Sequence, residues 1–154
     1  MQYDPVAVAK MFRYVREAGQ NRGLRVEAIQ HWSGGEPGEP WCDDFAVGMI
    51  LDICFQGASP FPRQRDIDGS TVAALAYAKA QGWVVPIDQA APGDLVFSVR
   101  GDGTPHHVGI LETVSPFQTI AGNTSEDGTS DNGDRVAEHV VSTDGKVIVH
   151  YPRG

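Results

Sequence analysis

Cys42 lies where a loop rich in glycine and proline (Gly34, Gly35, Pro37, Gly38, Pro40) gives way to a helical pattern, and this is the strongest chemical signal in the chain. A thiol in the first turn of a helix sits at the positive end of the dipole, among N–H groups that lack intrahelical partners, which favours the nucleophilic thiolate. Asp43 and Asp44 follow directly and predict a polar helix start that reaches the surface. We therefore read Cys42 as a nucleophile and not as a core cysteine. Cys54, flanked by Ile53 and Phe55, reads as structural. On one continuous helix the two sulfurs would stand about 18 Å apart at about 1.5 Å per residue, beyond disulfide reach. Both thiols are expected to be free.

A thiol nucleophile needs a base, and imidazole suits the task because it titrates near neutrality. His31, His139 and His150 stand singly and read as surface or edge residues, whereas His106 and His107 are adjacent at the start of a probable strand. Strand alternation points neighbouring side chains to opposite faces, so at most one of the pair is expected to meet Cys42, and periodicity does not say which. A third polar group usually orients the base. Asn123 is the candidate, at the end of a strand on which Thr119, Ala121 and Asn123 are expected to share a face; Glu112 is the rival, on the face opposite His107 unless a bulge intervenes. Trp41, beside the cysteine, is a candidate for lining a substrate groove, although packing is the default for all three tryptophans.

The elements that must position these residues divide at Gly82. Before it the pattern is helical: from Asp4-Pro5 through Ala18, from Arg25 to Trp32, from about Cys42 to Gln56, and from a Ser70 cap through Ala80, with a loop over Pro60, Pro62 and the Asp66 to Gly69 stretch. After it come short segments rich in Val and Ile: Asp94 to Val99, His107 to Val114, Gln118 to Ala121, Arg135 to Val141 and Val147 to Tyr151. Helices first and strands second imply an α+β domain with N-terminal helices packed on a C-terminal antiparallel β-sheet.

At 154 residues the chain is expected to form one domain over residues 1–154. Its formal net charge of −8, with no basic cluster, argues against nucleic acid and anionic membrane surfaces as partners. No apolar run approaches the roughly 20 residues needed to span a bilayer. The segment from Met1 to Lys10 lacks the basic start and apolar core of a secretory signal, so synthesis in the cytoplasm is expected, with action elsewhere requiring other delivery. The acidic loop from Ser125 to Asp134 lacks the spacing of a calcium-binding loop, and no cysteines or histidines have zinc-ligand spacing. Neither a metal nor another cofactor is expected.

Taken together, Gly38-Glu39-Pro40-Trp41-Cys42 with Phe45, Pro92-Gly93-Asp94-Leu95-Val96-Phe97, His107-Val108-Gly109-Ile110 and Thr119-Ile120-Ala121-Gly122-Asn123-Thr124 resemble the CHAP family, the cysteine, histidine-dependent amidohydrolases/peptidases among the papain-like peptidoglycan hydrolases of bacteria and bacteriophages. The resemblance covers most of the chain. It implies a papain-like fold, Cys42 as nucleophile, His107 as base with His106 as its neighbour near the substrate, and Asn123 as the imidazole's partner. It implies peptidoglycan as substrate, cut as an endopeptidase or N-acetylmuramoyl-L-alanine amidase would cut it, in an endolysin, a virion-associated enzyme or an exported toxin served by an immunity or delivery protein. Many relatives carry Glu-Gly-Asn where this chain has Ala121-Gly122-Asn123. Either Asn123 orients the base alone or activity is reduced or lost. A silent wall- or protein-binding domain, and a thiol acyltransferase or deamidase acting on a protein, are the competing readings.

Overall fold

A computed structural model describes residues 1–62, 70–126 and 132–154. The loop expected at Asp66 to Gly69 and the middle of the acidic loop lie outside the described residues.

The N-terminal helix, α1 (Pro5–Lys10), starts as the sequence predicts: the Asp4 carboxylate accepts the Val6 N–H at 3.0 Å and Pro5 occupies the first turn. It ends about two turns earlier than its apolar period predicts. Residues 15–17 are drawn instead to the edge of the sheet, where Val136 N–H donates to the Val15 carbonyl and Glu17 N–H to the Asp134 carbonyl. These tertiary hydrogen bonds outweigh a helical preference of a few tenths of a kcal/mol per residue. Helix α2 (Leu24–Trp32) follows closely the expected span. Ser70 caps α4 (Thr71–Ala80) by accepting the Ala73 N–H at 3.3 Å, and the helix gives way to a turn at Gly82.

The helix that carries Cys42 spans residues 42–54 and is called α3. It opens with a turn at residues 42–43, continues as a π-helix over Asp44–Ile50 and finishes as an α-helical turn over Leu51–Cys54. Every residue of the π-helical stretch is buried. A 3.6-residue period does not foresee that widening, which is typical of functional or strained sites.

Six strands form one antiparallel sheet: β1 (Val84–Val85), β2 (Leu95–Val99), β3 (Pro105–Thr113), β4 (Gln118–Thr124), β5 (Arg135–Val140) and β6 (Lys146–Val149), in the order β1-β6-β2-β3-β4-β5. The domain is thus α+β, as the sequence predicts. Two-residue β1 is too short to carry a readable alternation; its pairing of Val84 with Val149 defines it. Period-2 burial sorts the strands onto two clusters. Phe97, Ile110 and Ile120 join Ala9 of α1, Phe45 and Ile50 of α3 and Leu75 of α4, while Val96, Leu111, Phe117 and Ile148 form a smaller cluster. Each fully buried large side chain contributes roughly 1.5–3 kcal/mol, so the larger cluster fixes α3 relative to β3 and β4.

Candidate active site

The approach of α3 to the sheet depends on Gly122. A Cβ there would stand 2.7 Å from Trp41 Cζ3 and 2.9 Å from Phe45 Cβ, so only glycine lets β4 lie against the first turn of the cysteine helix. Trp41 is fully buried in this contact, and its indole N–H donates to Glu17 Oε1 at 2.8 Å. The expectation that Trp41 lines a substrate groove is corrected: its bulk and its single donor are both consumed in anchoring the loop that delivers Cys42. The same loop is held by Gln30, whose amide N–H groups reach the Asn21 carbonyl at 2.9 Å and the Glu39 carbonyl at 2.7 Å. Glu17 completes the brace by accepting the Asn21 N–H at 2.9 Å. Polar residues scattered over the first 40 positions give no sequence signal of this convergence.

Cys42 itself meets β3. Pairing of β3 with β4 runs from Thr113 to Ile110 and then stops, leaving the Val108 N–H to the sulfur, which also receives the Asp43 N–H. The thiol is therefore in contact with the residue that follows His107. Only 5 % of Cys42 is exposed, and the thiol is pushed up from 9.0 to about 12, first by burial, then by the Asp43 carboxylate and more weakly by Asp44; the two N–H groups lower it by less. This corrects the expectation of a dipole-favoured thiolate. Burial outweighs the helix start, and the two carboxylates predicted to bring the site to the surface are themselves buried. Burial thus favours the neutral thiol.

The histidines depart from strict alternation. Phe97 pairs with Val108, Ser98 with His107 and Val99 with Pro105, so His106 is an extra residue, a bulge opposite the end of β2. A bulge re-aims side chains, and the two histidines are not sent to separate faces: both border a cavity of about 490 Å³ over the sheet. His106 also borders a second cavity of about 330 Å³, whose wall includes Cys42, Glu39, Pro40 and Asp43. His106 thus stands between the nucleophile's cavity and the larger one, and His107, 8 % exposed, faces the larger one.

Asn123 is displaced by another bulge. Ala121 pairs with Ala137 but Thr124 with Arg135, and Asn123 adopts φ 55°. Asn123 therefore leaves the face shared by Thr119 and Ala121, and Thr124 takes its place on the cavity wall. Its amide donates to Asn132 Oδ1 at 3.4 Å, and among the described residues none donates to its buried Oδ1. The expected pairing of Asn123 with an imidazole is absent from this structure. Glu112 makes its contacts elsewhere. It sits at a third bulge, accepts from Gln118 Nε2 at 2.7 Å and faces Lys10 Nζ at 3.4 Å. Its carboxyl is held above the ordinary value by burial and by Glu138 beside it.

A scan against protein-family models and searches of curated proteins and solved structures find nothing that matches this chain. The chemistry must be read from the site. What it holds is a thiol at a helix start, the His106 imidazole on the wall of the same cavity, His107 next to it in the chain, and backbone N–H groups that stabilise the sulfur's charged form. Cys54 is free and buried, as expected of a structural cysteine. No group of three or more His, Cys, Asp or Glu side chains suited to a metal ion occurs among the described residues.

Proposed function

We propose that the chain is a cysteine amide hydrolase acting by acyl transfer, with Cys42 as nucleophile and His107 as base. The observation that carries this reading is the contact of the Cys42 sulfur with the Val108 N–H, which sets the thiol against the backbone of the histidine pair at the mouth of a cavity. The order of cysteine helix, then histidine strand, then asparagine strand supports a papain-like arrangement. The motif resemblance supports peptidoglycan as substrate and a stem or cross-bridge peptide bond, or the muramoyl–alanine bond, as the target.

With burial favouring the neutral thiol, the proton leaves as the sulfur attacks. The imidazole takes the Sγ proton while Sγ bonds to the amide carbonyl carbon, and N–H groups of the first turn of α3 receive the developing oxyanion. The imidazolium then protonates the amide nitrogen, the C–N bond breaks, and an amine departs from a thioester. Water attacks that thioester, gives its proton to the imidazole and releases the acid; the thiolate recovers the proton from the imidazolium. Asn123 orients the base in this scheme only if its amide turns from Asn132. His106 lines the path between the two cavities and contacts substrate.

Release of soluble fragments from purified peptidoglycan tests the reading. Wild type is expected to release fragments whose new termini name the bond, with Cys42→Ala silent and His107→Ala lower by at least about a hundredfold. Retained activity in Cys42→Ala would overturn it. Silence of the wild type on walls of several chemotypes, with cavities intact, would favour the non-catalytic binding domain, for which the replacement of a carboxylate by Ala121 already argues.

A further inference from the structure

The larger cavity has a floor without side-chain bulk. A Cβ added to Gly109 would lie 3.2 Å from Ala121 Cβ and 3.4 Å from Thr119 Cβ, so these three residues share one face of neighbouring strands. One bank of the trough is Thr119 with its cross-strand partner His139; the other is Ser98 with its partner Lys146. Thr119 is only 8 % exposed, and its hydroxyl makes no hydrogen bond among the described residues. A buried hydroxyl left unpaired on a cavity wall is destabilising until a polar group meets it. Sequence reading assigned His139 no role. Its Nε2 lies 2.7 Å from the Ser125 carbonyl, which only accepts, so Nε2 carries the hydrogen and Nδ1 of the neutral ring is a bare acceptor. His106, His107 and Thr124 border the same space and are engaged with partners of their own.

We propose that this trough binds an uncharged peptide unit of a ligand, its N–H directed to the Thr119 oxygen and the bare nitrogen of His139 and its carbonyl to the Ser98 hydroxyl and the Lys146 ammonium. Acceptors on one bank and donors on the other select a group that both donates and accepts. A carboxylate would meet the lone pair of His139, and an ammonium would meet the charge of Lys146. The Asp144 carboxylate on the same wall offsets the field of Lys146, which again favours a neutral ligand. The bare floor lets a flat amide lie close over Gly109 and Ala121, and the volume of about 490 Å³ is that of a small-ligand site. The inference deepens the hydrolase reading by giving its peptide substrate a point of attachment on the sheet, and rests on that reading for the substrate's identity alone.

The test separates the two. Backbone and histidine side-chain NMR would be recorded on the whole protein during titration with N-acetylalanine methylamide and, in parallel, with methyl O-acetyllactate, in which oxygen replaces both N–H groups. The amide is expected to cause saturable shifts at Gly109, Thr119 and the His139 ring, and the ester to bind at least about tenfold more weakly, because it leaves both acceptors unpaired. Acetate and methylammonium are expected to cause no saturable shift there. Thr119→Val, which keeps the shape and removes the hydroxyl, is expected to weaken amide binding by about tenfold. Ala121→Leu, which fills the floor, is expected to abolish it. Equal response to amide and ester, saturable binding of either ion, no response to the amide, or undiminished binding in a folded Thr119→Val variant overturns the proposal. Peptide binding in a protein that cleaves no wall would leave the trough assigned and the hydrolase reading refuted; wall cleavage by a protein whose trough ignores the amide would do the reverse.

Discussion

At the scale of the residue, the site turns on a cysteine whose proton is hard to remove. With the Cys42 thiol at about 12, the fraction of thiolate at neutral pH is small, and iodoacetamide should label Cys42 at pH 7 at least about tenfold more slowly than an unperturbed thiol. Peptide mapping would separate it from Cys54. Rapid labelling near neutrality would show that an imidazole already holds the proton. Since Asp43 is the largest charge raising the thiol, Asp43→Asn should speed labelling at pH 8 without bringing it to the rate of a free cysteine, because burial is the larger cause. Residue types were legible in the sequence: the cysteine shares a cavity wall with His106 of the histidine pair, and Gly122 packs on Trp41 beside it. Burial was not. Asp43 and Asp44 promised solvent, and the packing of Phe45 and Trp41 under β4 took them inside.

At the scale of the element, the site depends on close approach and on bulges. Gly122→Ala adds a methyl 2.7 Å from the Trp41 ring and should cost about 1–3 kcal/mol in urea unfolding, with a larger loss of any thiol-dependent activity because the start of α3 is displaced. Trp41→Phe removes the donor to Glu17 while preserving most of the bulk, and should cost about 1–2 kcal/mol by the same measurement. No change in either variant would mean that the loop carrying Cys42 is anchored elsewhere. Helix and strand types were readable from period and caps, with α2 and α4 close to the expected spans. Three features were not: the early end of α1, set by hydrogen bonds from residues 15–17 to β5; the π-helix within α3; and the bulges at His106, Glu112 and Asn123. Each bulge changes by one the count on which alternation rests. That is why Asn123, expected beside Ala121, lies off the cavity wall, and why His106 and His107 border the same cavity.

At the scale of the whole molecule, the buried acids set a pH limit. Cys42 and Cys54 are both raised from 9.0 to about 12 by burial, and the Tyr151 phenol is raised in the same direction for the same reason. A raised acid binds its proton more tightly when folded, so its contribution is complete below about pH 9 and is lost as pH climbs towards 12. The urea midpoint should therefore decline above pH 9, and Cys54→Ala should flatten part of that decline. A midpoint that stays level to pH 11 would contradict the burial of these groups. With a net charge of −8, turnover on an anionic wall should rise with moderate salt as repulsion is screened; a monotonic fall would count against that substrate.

The acyl-enzyme is the central claim, and intact-mass spectrometry after acid quenching of the protein with purified muropeptides tests it most directly. The account predicts a mass increase equal to one acyl fragment, localised to Cys42, labile to hydroxylamine and absent from Cys42→Ala. Fragment release with no adduct at any time, and undiminished in Cys42→Ala, would contradict it.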